Sequence, residues 1–226
     1  ALDRERGEGG EPRGRAASDI PRCTEGPPPS PVPRNHPTPP DPSSVVEPGV
    51  DLVAIVATSC GELTIDLLEG AAPETVSSFV SLARTGFFDG LEWFRVERDA
   101  VIQTGDPNGV VGEPPDGPGY TFRGELPRRG RDYRYGIVAM APEGPPVGAS
   151  ERGPEHVFGS QWFIVVHEEG TAGLDPFYPI FGRVDPDSYE TLELIAKQPV
   201  AGGTDPTAAS RPQEPIYILS IEIVER

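Results

Sequence analysis

Cysteine and histidine are scarce in this 226-residue chain, and long apolar runs are missing. Its two cysteines, Cys23 and Cys60, have no second cysteine or histidine at metal-ligand spacing, which excludes the usual zinc sites. The three histidines, His36, His156 and His167, flank neither a Gly-x-Ser-x-Gly elbow nor a His-Glu-x-x-His helix. The common serine-hydrolase and zinc-protease constellations are therefore excluded, and these histidines read as exposed loop residues. No stretch approaches the ~18–20 apolar residues of a membrane span. None reads as a signal peptide either, and the chain starts at Ala1 without an initiator methionine, as a processed or trimmed product would. Positive charge is also short: 19 Lys and Arg stand against 36 Asp and Glu, a formal net charge of −17. Such a surface repels phosphate backbones, so nucleic acid is not expected as a partner, and the acidity reads as a solvated face.

Proline, glycine and charge dominate residues 1–50, where too few apolar side chains are available to offset ordering entropy. This segment is expected to be disordered to extended, its proline-rich half favouring polyproline II, and to serve as a tail or linker. Residues 51–226 read as one domain. LVAIVAT, a turn at Ser59, Cys60 and Gly61, and LTIDLLE predict a β-hairpin. PETVSSFVSLARTG repeats Val76, Phe79, Val80 and Ala83 at helical spacing, with Pro73 to open the helix and Gly86 to stop it. Tyr135 to Ala141 reads as a strand, and the Pro/Gly-rich stretch from Pro142 to Phe158 as an irregular rim without an element of its own. DPDSYETLELIAKQP predicts a second helix with a capping box at Asp187 and Glu190, and IYILSIEIVE a closing strand. The sum is a mainly β, antiparallel barrel with two helices.

Two stretches carry the chemistry: FRVERDAVIQTGD, from Phe94 to Asp106, and GSQWFIV, from Gly159 to Val165. Arg95 and Gln103 are eight apart, an even spacing that puts them on one face of a sheet if no bulge breaks the register. Arginine presents donors in a rigid fork and glutamine both donates and accepts, but neither is a nucleophile. Such a pair can hold or polarise an amide and does no covalent or acid–base chemistry alone. A surface ion pair and a solvated glutamine is the alternative reading of the two residues.

FRV, VIQTGD and GSQWFI, with GIVAMA (136–141), GLD (173–175) and IFGRV (180–184), resemble the cyclophilin-type peptidyl-prolyl isomerases in order and near their spacing, across Leu52 to Val224. The resemblance implies a closed, eight-stranded antiparallel barrel capped by two helices, and isomerisation of X-Pro bonds in proline-containing polypeptide segments by a monomer without cofactor or metal. By the same resemblance Arg95, Gln103 and Phe163 match the catalytic arginine, its glutamine anchor and the floor beneath the proline ring. Phe94, Ala100, Val101, Ala141, Pro142, Gln161, Leu174 and Tyr178 match substrate-binding positions. The chain departs from the family in several of them: Trp93-Phe94-Arg95 replaces Phe-His-Arg, Ala100 replaces an aromatic, and Tyr178 stands where animal members carry histidine. Pro142 replaces an asparagine whose backbone bonds substrate, and Gly173 replaces the tryptophan that hydrogen-bonds cyclosporin. A module of the same fold that grips X-Pro segments but turns over poorly, serving as a holdase or scaffold, is thus the second expectation. Cys23 and Cys60 are expected to bridge the tail to the first hairpin in an oxidising, extracytoplasmic compartment, with two unrelated thiols and a cytoplasmic site as the alternative.

Overall fold

Apolar alternation builds most of the fold. The computed structural model describes residues 23, 38–47, 49–109, 117–128, 133–150 and 153–226. A short helix α1 (Pro42–Val45) precedes the expected hairpin of β1 (Leu52–Thr58) and β2 (Gly61–Leu67). Helix α2 (Pro73–Arg84) follows, with Pro73 in its first turn and Gly86 beyond its end at a φ of 71° that suits glycine. Then come β3 (Arg95–Val96), β4 (Val101–Thr104), β5 (Ile137–Pro142), the pair β6 (Gly148–Ser150) and β7 (Gly153–Glu155), and β8 (Phe158–Val165). The chain ends through α3 (Glu168–Thr171), β9 (Ile180–Val184), a 3₁₀ turn (Pro186–Ser188), α4 (Tyr189–Ala196), α5 (Pro206–Ala209) and β10 (Ile218–Glu225).

Eight strands form one antiparallel sheet in the order β10-β1-β2-β9-β5-β8-β4-β3, and β6 and β7 pair apart from it. The sheet curls until its ends meet. Between β3 and β10 the described residues form no ladder; the seam is closed by a bridge of Glu92 to Tyr217 and by backbone bonds from the Gly90 amide to the Ile218 carbonyl (2.8 Å), from the Ile218 amide to the Leu91 carbonyl (2.8 Å), from the Trp93 amide to the Ile216 carbonyl (2.8 Å) and from the Val96 amide to the Ser210 carbonyl (2.7 Å). The interior is apolar: Trp162 meets Trp93 and Phe79 edge-on at 5.0 and 5.8 Å, and α2 closes one end with Phe79 and Val80. Every residue of β8 is buried. Its Trp162 and Ile164 point into this core, while Phe163 and Val165 on the opposite face belong to a second, smaller cluster outside it. That outer cluster is where the site lies.

Four expectations change. Beyond α2 and α4 the chain has short helices of a single turn, α1, α3 and α5. The segment before Val50 is not extended throughout: α1 sits there, and Val45, Val46, Val50 and Cys23 pack on the core, which supplies the burial that composition alone did not promise. The rest of the expected tail, residues 1–22, 24–37 and 48, lies outside the described residues. The rim between Pro142 and Phe158 does hold an element, the β6–β7 ribbon, whose Gly153 uses a φ of 121°. The capping box at Asp187 does not form. Asp185 caps the 3₁₀ turn by accepting from the Asp187 amide (3.0 Å), and the Ser188 hydroxyl is drawn away to the Thr64 amide (2.9 Å).

Candidate active site

A tight turn makes the site. The Glu97 amide donates to the Val101 carbonyl (2.8 Å) and the Ala100 amide to the Glu97 carbonyl (3.0 Å), so β3 folds straight back onto β4. Arg95 then lies opposite Gln103, Gln103 opposite Phe163 on β8, and Phe163 opposite Ala139 on β5. Four strands thus set these residues in one row on the outer face. The even spacing of Arg95 and Gln103 has its effect through this pairing.

A hydrogen-bonded chain runs from one carboxylate to another. Arg95 gives Nε (3.0 Å) and Nη2 (2.8 Å) to Oε1 of Glu97, and Nη1 to Oε1 of Gln103 (2.8 Å). Gln103 Nε2 donates to Gln161 Oε1 (2.7 Å), and Gln161 Nε2 to Oδ2 of Asp106 (3.1 Å). The guanidinium can only donate and the carboxylate of Asp106, 1% exposed, can only accept, so both glutamine amides have one orientation open to them. The Asn108 amide holds the other oxygen of Asp106 at 2.9 Å.

Beside this chain lies the apolar bed. Phe163 (5% exposed), Val101, Ala141, Ala139, Ile137, Val165 and Tyr133 form it, with Ala100, Leu174, Tyr178 and Ile180 packed on its edge. Tyr178 meets the Phe163 ring edge-on at 5.6 Å and the Tyr133 ring at 5.9 Å. Tyr133 fixes it from behind: its hydroxyl donates to the Tyr178 carbonyl (2.9 Å) and accepts from the Tyr178 amide (3.0 Å). Burial pushes the Tyr178 phenol above its ordinary value; Asp175 adds to the shift and the Arg95 charge opposes it, so the ring stays neutral at physiological pH. Of the residues expected here, Phe94 is 2% exposed and belongs to neither cluster, so it offers almost no surface to a ligand. Pro142 ends β5 past a bulge, and a Cβ added at Gly173 would meet nothing within 4 Å.

A cation and two oriented amides beside a bed of apolar rings can grip a peptide and act on its charge distribution. Among the described residues no His, Cys, Asp and Glu group could hold a metal ion. The cyclophilin type peptidyl-prolyl cis-trans isomerase/CLD family model matches residues 53–223. The chain belongs to this family. The probable peptidyl-prolyl cis-trans isomerase B of Mycobacterium tuberculosis is 36% identical over 186 residues, which are 76% of this chain and 53% of that protein. The chain therefore spans about half the length of that relative. The peptidyl-prolyl cis-trans isomerase A of the same organism is 34% identical over 75% of this chain and 91% of its own length. A solved cyclophilin of Cryptosporidium parvum superposes with a TM-score of 0.60 at 27% identity, covering 78% of this chain and 99% of its own. The same protein in the presence of the dipeptide Ala-Pro gives 0.59 at 26%.

Set in the cyclophilin fold, three participants were missed in the sequence. Glu97 lies two residues after Arg95, so alternation alone could have placed it on the same face. Asp106 and Tyr133 come from loops, where no period assigns a face, and only the folded chain brings them to the site.

Proposed function

We propose that this chain is a peptidyl-prolyl cis-trans isomerase acting on X-Pro bonds of extended polypeptide segments, with residues 51–226 as its catalytic domain. The observation that carries the reading is the Arg95 fork, held at the edge of the apolar bed floored by Phe163. Amide resonance resists rotation by ~18–20 kcal/mol and leaves X-Pro exchange taking tens to hundreds of seconds. The barrier falls without breaking a bond if the twisted form is bound better than the planar ones. The prolyl ring seats on Phe163 between Val101 and Leu174, near Ala100, Ala141 and Tyr178, while Gln103 and Gln161 hold the flanking backbone. As the amide twists, its nitrogen lone pair localises, and the free N–H groups of Arg95 stabilise it. The Cys23–Cys60 disulfide supports an oxidising, extracytoplasmic location.

Pro142, which has no N–H to offer a substrate, favours a second reading in which the site binds X-Pro segments with poor turnover. Exchange spectroscopy on an Ala-Pro peptide with the full chain separates the two. Cis–trans exchange well above the uncatalysed rate supports the isomerase. Binding without any acceleration would replace it with the binding module.

A further inference from the structure

We infer that Glu97 is a positioning residue that holds the Arg95 guanidinium in the plane the reaction needs, an inference that rests on the isomerase reading above. A free arginine side chain rotates about several bonds, and a donor that must meet a localising lone pair loses effect when its plane wanders. Here one carboxylate oxygen, Oε1 of Glu97, accepts from both Nε and Nη2, and Gln103 takes Nη1 from another side. Three of the five N–H groups are thereby committed from two directions. One N–H on each terminal nitrogen remains for a substrate. The clamp is itself rigid. Glu97 is the first residue of the β3–β4 turn, with its amide bonded to the Val101 carbonyl and its carbonyl to the Ala100 amide. It lies two residues from Arg95, on the same face, so its carboxylate reaches the fork from a fixed backbone.

The pair's side chains are 30% and 39% exposed, so the ion pair adds little to stability. Its geometry is what matters to the site. Glu97 touches no reacting atom and acts only through Arg95.

The test compares the wild type with Glu97→Ala and Glu97→Gln in the full chain, using exchange rates on an X-Pro peptide together with the Arg95 Nε–H signal in nitrogen-15 spectra. Glu97→Ala should lower kcat about three- to tenfold with KM nearly unchanged, and the Nε–H should lose its protection from solvent exchange. Glu97→Gln keeps an oxygen acceptor and should retain most of the rate. An alanine variant whose kcat is unchanged or raised would overturn the inference, because the carboxylate would then be idle or would damp the charge. If the wild type catalyses no exchange, it is the isomerase reading that fails, and the Nε–H signal alone decides whether Glu97 holds the fork.

Discussion

Tyr135 illustrates how single side chains set the pH behaviour of this molecule. Its hydroxyl is buried and has no hydrogen-bond partner among the described residues, and its ring stands edge-on to Tyr189 at 4.9 Å. Burial first, then the charges of Glu193 and Tyr189, push its pKa up to about 12. The folded value lies above the unfolded one, about 10, so the neutral phenol is the form the fold favours. That contribution to stability is complete below pH ~10 and is lost as the pH rises towards ~12. Tyr135→Phe removes no hydrogen bond, so it should leave stability at pH 7 unchanged or slightly higher and flatten the alkaline decline. Denaturant titrations across this range check it, and equal alkaline slopes in the two proteins would refute it. At this scale the shared face of Arg95 and Gln103 was legible from their even spacing, whereas Phe163 was picked out by the family resemblance alone. Asp106 and Tyr133 were not, because loops carry no such rule, although their bonds to Gln161 and Tyr178 orient the site.

Among the elements, those with a long apolar period were legible: the β1–β2 hairpin, α2 and the closing β10 all follow their patterns. The β6–β7 ribbon was not, since its three-residue strands lie within Pro and Gly that read as breakers. The segment after α3 shows what an element's surroundings permit. Gly173 has open space where a Cβ would stand, so Gly173→Trp should fold normally. The new indole can donate the hydrogen bond that tryptophan gives cyclosporin in sensitive members of the family. Calorimetry should then find affinity raised about tenfold, the worth of one ~1–1.5 kcal/mol hydrogen bond. Unchanged affinity would mean that Gly173 does not occupy the tryptophan's place.

The whole molecule is an eight-stranded curled sheet with its amino-terminal part tied back to it. Cys23 and Cys60 are joined across a sequence separation of 37, and both pack against the core. Chain entropy alone makes a closed loop of that size worth about 3–4 kcal/mol. Replacing both cysteines by serine should lower the unfolding free energy by that order, and no loss would mean that the tether constrains nothing. The barrel was legible as a whole because six short islands agreed with one fold. Its closure was implied by the resemblance and not by alternation, because isolated bonds between residues 90–96 and 210–218 join the sheet's ends without a ladder.

Arg95→Ala tests the central claim most directly, through kcat from exchange spectroscopy and affinity for the same X-Pro peptide from NMR titration. If Arg95 acts mainly on the twisted amide, loss of a charge-assisted hydrogen bond of ~1.5–3 kcal/mol should lower kcat by about one to two decades. Affinity should fall by less than about threefold, since the planar forms gain little from that donor. Equal losses in rate and affinity, or no catalysed exchange in the wild type, would contradict a catalytic arginine and leave a site that only binds.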